Sequence, residues 1–277
     1  MSTPVEQTTT LRRAELEGLH EAFNDRSLVH PDPIEVLYDY PDPADREIVA
    51  LIAACLSYGG VKQILRSVRE ALERIGPPAQ FVRDGRLADF EAVFDVFVHR
   101  VARGHHVAAL LAGIRDIVTR HGSLLNGFLC GLRDEHETVL PALQHFVSSL
   151  NVEEQGRCGH LLADPARGSA CKRLHLFLRW LVRQDAVDVG DWSQVGAHRL
   201  IMPVDTHVHR VCSELGLTQR KQANLRTALE ITDAFRHYAP DDPVKYDFAL
   251  TRIGMRGDAS LADYFTCLSE TKGAHDD

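Results

Sequence analysis

The sequence predicts an all-α fold, and three observations carry that expectation. Apolar residues recur at i, i+3, i+4 and i+7 through one segment after another. Clusters of Gly, Pro, Asp and Ser separate those segments, and the alternation of a half-buried strand is nearly absent. Glu47 to Leu56 (EIVALIAACL) is an early segment. A Gly59-Gly60 break divides it from Val61 to Ile75, where Ile64, Leu65, Val68 and Leu72 form one stripe. After the Gly76 to Pro78 breaker come Phe90 to Ala102, Val107 to His121 and Thr138 to Leu150. The stretch Ala163 to Ser169 (ADPARGS) precedes Lys172 to Arg183, whose stripe is Leu174, Phe177, Leu178 and Leu181. Thr206 to Leu215 starts at an Asp205 or Thr206 cap and stops at Gly216. Leu225 to Tyr238, the breaker Ala239 to Pro243, and Tyr246 to Ile253 complete the order. No internal repeat or low-complexity segment is apparent.

Composition bounds the class. A chain of 277 residues can bury a sizeable core as one large domain or two small ones. Hydrophobic residues at 44% and charged residues at 25% are ordinary for a globular protein. No apolar run approaches the roughly 18 residues of a membrane span. The opening MSTPVEQTTTLRR lacks the apolar core of a signal peptide, and residues 1–10 are expected to be disordered. Cys55, Cys130, Cys158, Cys171, Cys212 and Cys267 are scattered, which suits reduced thiols and a cytoplasmic protein. A net charge of −8 argues mildly against a protein that coats nucleic acid.

The stretch Met202 to Val211, MPVDTHVHRV, admits two readings. A His-x-His metal pair works on a strand, where positions i and i+2 share a face. On a helix those positions diverge by about 200°, so His207 and His209 could not grip one ion. Val208, Val211, Cys212 and Leu215 follow with helical period, which disfavours a metal-dependent hydrolase. Position argues the same way, because a barrel hydrolase carries this motif on its first strand within about 250 residues. Only 72 residues follow Asp205.

On the helical reading Asp205 is a carboxylate at a helix N-terminus, after the apolar lead-in Leu200 to Val204. Capping is the commoner role for such a residue. The sharper role is stabilising a cation or activating a nucleophile, and that needs a partner. The chain has five lysines against 26 arginines, and Lys172 is the best placed. It opens the helix KRLHLFLRWLVR, where the helix N-terminus and Arg173 should both disfavour an ammonium and free the amine for Schiff-base chemistry. A solvated first-turn lysine is the competing role. Cys158, His160, Cys171 and His175 could be zinc ligands, although Cys-x-His is unlike the usual spacing. His99, His105 and His106 could line a polar groove or simply sit on a surface loop.

Pro203-Val204-Asp205-Thr206-His207-Val208, with Arg210-Val211 and Leu215-Gly216-Leu217, resembles the catalytic-aspartate helix of the helix-hairpin-helix DNA glycosylase superfamily, the endonuclease III group. Glu47 to Val68 is similar to that superfamily's early helix pair, and DFALTRIG (Asp247 to Gly254) to its late core helix. The order agrees across about Asp45 to Arg256. The whole chain also resembles an uncharacterised bacterial family, a domain of unknown function, by SACKRLHLFLRWLVR and PVDTHVHRV. The superfamily's Gly-rich hairpin is absent before Asp205. Lys172 stands 33 residues upstream, and in this long lysine-to-aspartate stretch and its lack of the standard hairpin the chain looks most like the archaeal 8-oxoguanine glycosylase branch. The four-cysteine iron–sulfur motif is absent too, so no cofactor is implied.

The resemblance implies a two-lobed helical bundle with a cleft between the lobes. Residues 45–165 would form the first lobe, and 11–44 with 166–277 the second. It implies base excision from double-stranded DNA carrying a damaged base, 8-oxoguanine being the first guess, with accompanying lyase activity. Lys172 would be the nucleophile, and Asp205 would stabilise the cationic sugar or deprotonate the lysine. Tyr58, Gly59, Gly60, Lys62, Arg173 and Arg210 would contact DNA, and Phe177 and Trp180 would wall the base pocket. A monomer associated with the nucleoid and with no membrane partner is the matching expectation. From Arg167 to Lys221 nine Lys or Arg stand against five Asp or Glu, a basic excess of four for phosphate contact. The alternatives are a non-catalytic nucleic-acid-binding module on the same fold and, behind it, the His-x-His hydrolase.

Overall fold

A computed structural model describes residues 13–151 and 158–255. The expected disorder of residues 1–10 and the last cysteine, Cys267, lie outside the described residues. Those residues form an all-α structure with one short hairpin as its only sheet.

The first helix, α1 (Arg13–Phe23), buries Leu16, Leu19 and Phe23. A 3-10 stretch (Pro33–Asp39), started by a capping box between Asp32 and Glu35, leads to α2 (Pro43–Leu56). Asp42 caps α2, and Pro43 takes its first turn, where a missing N–H costs nothing. Every residue from Glu47 to Leu56 is buried, so α2 is the central helix of the bundle. Its buried Glu47 accepts hydrogen bonds from the backbone N–H groups of Leu124 and Leu125, and so caps another helix from inside the core.

Around α2 stand α3 (Val61–Ile75), α4 (Pro78–Asp84), α5 (Leu87–Phe94), α6 (Gly104–His121), α7 (Leu124–Leu129) and α8 (Leu140–Leu150). The carbonyl of Leu150 lies where a Cβ on Gly113 would be, 2.1 Å away, so glycine sets the approach of α6 to the end of α8. The later helices are α9 (Lys172–Val182), α10 (Thr206–Glu214), α11 (Leu225–Arg236) and α12 (Asp247–Met255). Helix α9 packs on α2, while α1 and α10 pack on α12. Buried apolar side chains from α1 through α12 form one continuous cluster. Among the described residues no helix is long and apolar enough to cross a membrane.

Three local expectations need correction. The segment Phe90 to Ala102 is not one helix: α5 ends at Phe94, and β1 (Val98–His99) pairs antiparallel with β2 (Ala102–Arg103). Valines at 96, 98 and 101 favour extended backbone, and Arg100 takes a left-handed turn with φ 54°. The Gly76-Pro77-Pro78 breaker also starts α4, with Pro78 in its first turn. Finally, α4 and α7 span only seven and six residues, too few turns to show a period in sequence.

Candidate active site on two helix N-termini

Two faces of α9 have different jobs. Leu174, Phe177, Leu178 and Leu181 are buried in the core toward α2. Lys172, Arg179 and Arg183 share the other side, because seven and eleven residues return a helix to nearly the same angle. The helix is entered through Cys171, whose φ of 44° and ψ of 35° are left-handed. For a residue with a side chain that conformation costs about 1–2 kcal/mol, so the surroundings must hold it. They do: the Cys171 N–H donates to Ser169 Oγ, and the Leu225 N–H at the start of α11 donates to the Gly168 carbonyl.

The opposing group arrives on α10. Leu200, Ile201, Met202 and Val204 are buried, and the Met202 N–H donates to Thr232 Oγ1 in α11. This fixes the position at which the chain emerges as Asp205. Oδ1 of Asp205 accepts from the N–H groups of both His207 and Val208, at 2.9 Å each. Oδ2 lies 2.9 Å from Lys172 Nζ, with the two side chains 24% and 34% exposed respectively. One carboxylate therefore caps a helix with one oxygen and faces an amine with the other. Burial alone would raise its pKa. The Lys172 charge and the capping N–H groups outweigh burial and hold Asp205 below the usual carboxylate range.

Behind this pair is a buried ionic network that the sequence reading missed. Arg179 bridges Asp188 at 3.2 Å and Asp247 at 2.5 Å, and Arg183 contacts Asp185, Asp188 and Asp242. Asp247 is 1% exposed, and its Oδ1 has no hydrogen-bond partner among the described residues. Burial pushes its pKa up while Arg179 opposes it, and the charges of Asp205 and Lys172 also act on it. Pair and network thus share one electrostatic environment across α9, α10 and α12. The signal was present in the spacing of Lys172, Arg179 and Arg183, but an exposed basic stripe has the same spacing.

The other expected site residues scatter. Phe177 and Trp180 are 0% and 1% exposed. Phe177 packs against Phe146 and Trp192, and both Phe177 and Trp180 belong to the core. Tyr58 is half-buried: its hydroxyl donates to the His99 carbonyl, and the Arg173 guanidinium sits over its ring at 4.9 Å. Arg173 also donates to the carbonyls of Cys55 and His160, tying α9 to the end of α2. Gly59 has φ 102°, and the group crossing it is the chain's own Arg100 side chain, 2.8 Å from where a Cβ would stand. Gly60 faces open space, while Lys62 and Arg210 are exposed. His207 is exposed, and His209 bonds the Arg220 carbonyl, so on α10 the two imidazoles diverge. Among the described residues no group of three His, Cys, Asp or Glu is arranged to hold a metal. His175 is buried with neither ring nitrogen bonded, and desolvation lowers its pKa to about 4.

A family described as a protein of unknown function, DUF2400, matches residues 32–256, most of the chain including both helix starts, and the chain belongs to it. No curated protein and no solved structure matches.

Proposed function

We propose that this DUF2400 member is a DNA base-excision glycosylase of the helix-hairpin-helix superfamily type, with lyase activity. The observation that carries the reading is the 2.9 Å approach of Lys172 Nζ to Asp205 Oδ2 at two partly exposed helix starts. A base inside a duplex is unreachable, so the target nucleotide is flipped out. Lys172 gives up a proton to water, and its free amine attacks C1′. The N-glycosidic bond breaks, and its electron pair leaves with the base, which takes up a proton. Asp205, anionic at neutral pH, faces the positive charge that develops on the sugar. The C1′ adduct opens to a Schiff base, and loss of a C2′ proton then expels the 3′ phosphate by β-elimination. Two lobes with a cleft, residues 45–165 against 11–44 with 166–277, would present the site. Contacts of the N-terminal segment with the C-terminal helices support that division: Glu17 with Lys245, and Asp32 with Arg252. An oxidised purine, 8-oxoguanine first, is the proposed target.

A second reading is a nucleic-acid-binding module without chemistry, favoured by the capping bonds that already give Asp205 a structural job. Borohydride trapping on duplexes carrying oxidised, alkylated or deaminated bases separates the two, because only an amine nucleophile leaves a covalent adduct. The catalytic reading expects an adduct with wild type and none with Lys172→Gln. No adduct on any duplex would leave the binding module.

A further inference from the structure

The hairpin that the sequence reading took for helix gathers an unusual surface. The exposed large hydrophobic residues among the described ones are Val96, Val98 and Val101, all on or just before this hairpin. Such side chains are normally scattered singly, so three on one element mark a contact surface.

The same element is cationic. Arg100 sits at the left-handed turn with its side chain laid over Gly59, and Arg103 holds the turn by donating to the Arg100 carbonyl. Arg173 approaches from α9, and His160 stacks edge-on against Tyr58. Among the described residues none of Arg100, Arg103 and Arg173 is paired with a carboxylate, although the chain carries a net charge of −8. The charges acting on His106, those of His105, Arg103 and His160, and those acting on His160, of Arg173 and Arg100, are all cationic as well. From His160 and Arg173 a groove continues past Arg167 and Ser169, along the turn that delivers Lys172. Among its described lining residues one is a carboxylate, Asp164, and it is paired with Arg167.

Arginines without a carboxylate partner among the described residues, beside exposed valines, fit a partner that is anionic along its length and apolar at its edge. We propose that the Val98–Arg103 hairpin, with Arg173 beside it, is a docking surface for the phosphodiester backbone of nucleic acid. Arg100 and Arg103 take phosphates, and Val101 lies against the sugar–base edge. This rests on the reading of the chain as a DNA enzyme, and adds to it the surface that carries the strand toward Lys172.

The test is fluorescence anisotropy with a 20-base-pair DNA duplex over a range of salt. Arg100→Asn removes one charge and keeps a residue that tolerates the left-handed turn, so circular dichroism and Tm should be unchanged. Affinity should fall roughly tenfold at 0.1 M salt, and the slope of log K against log salt should fall by about one. Val101→Ser should weaken binding without changing that slope. RNA duplex of the same length should show the Arg100→Asn loss too, as a backbone site requires. An unchanged slope in Arg100→Asn overturns the proposal, as does a wild type that binds neither duplex. Equal weakening on a polyglutamate peptide assigns the patch to acidic protein surfaces and overturns it as well. Binding is the readout, so a protein that binds duplex but never traps ends the catalytic reading and leaves this surface standing.

Discussion

Replacing Asp205 by Asn and by Ala separates its two jobs, because each oxygen has a different partner. Asn keeps an oxygen able to accept from the His207 and Val208 N–H groups and removes the charge facing Lys172. The charged contact is partly exposed, so its loss should cost only about 1 kcal/mol. Ala removes the cap as well, for about 1 kcal/mol more. In a chain of this size each step lowers Tm by about 2–4 °C. Activity should not follow stability. Both variants lose the carboxylate that stabilises the cationic sugar, so single-turnover excision should fall by about 100-fold or more in each. Protonation adds a second signature. Folding lowers the Asp205 pKa from its ordinary carboxylate value of 3.8, so its contribution is present above that value and is lost as pH falls through the lower folded-state pKa. Wild type and Asp205→Asn should therefore begin to converge in stability as pH falls below 3.8. The assay is excision and borohydride trapping beside thermal unfolding. If Asp205→Asn excises within twofold of wild type while Asp205→Ala is destabilised, Asp205 is a cap and the catalytic argument fails.

The remaining predictions concern the scaffold. His175 is neutral in the folded state down to about pH 4 and takes a proton at an ordinary 6.5 when unfolded, so folding loses about 3 kcal/mol as pH falls across that window. His175→Leu should flatten that loss in urea titrations at pH 7 and pH 4.5, and an equal loss in the variant would contradict the assignment. Gly113→Ala should destabilise by more than the usual overpacking cost of about 1–3 kcal/mol, because the obstacle is the Leu150 carbonyl and not a flexible side chain; an unchanged Tm would show that α8 can shift. Arg179→Met leaves Asp188 and Asp247 buried without their shared partner, and should cost about 3–5 kcal/mol by chemical denaturation. A loss below 1 kcal/mol would mean that other groups already neutralise them.

The sequence by itself determined the helical class, most helix positions and the two residues at the proposed centre. It could do so because these are local properties. The period of Ile64, Leu65, Val68 and Leu72 predicts α3, and an Asp before an amphipathic run predicts the cap of α10. Even the divergence of His207 and His209 follows from helical geometry alone. Only the tertiary structure decided what each side chain meets. Phe177 and Trp180 have the same spacing whether they wall a pocket or fill a core, and the packing of α9 puts them in the core. The spacing of Arg179 and Arg183 suits an exposed basic stripe equally well, until Asp188 from the following loop and Asp242 and Asp247 from distant segments close on them. Gly59 reads as room for a ligand, and the folded chain fills that room with Arg100. Helical period fixes which side of an element a residue occupies, whereas burial and charge pairing depend on the element brought against that side. For Lys172 and Asp205, 33 residues apart, that was the turn at Cys171 and the anchoring of Met202 on Thr232.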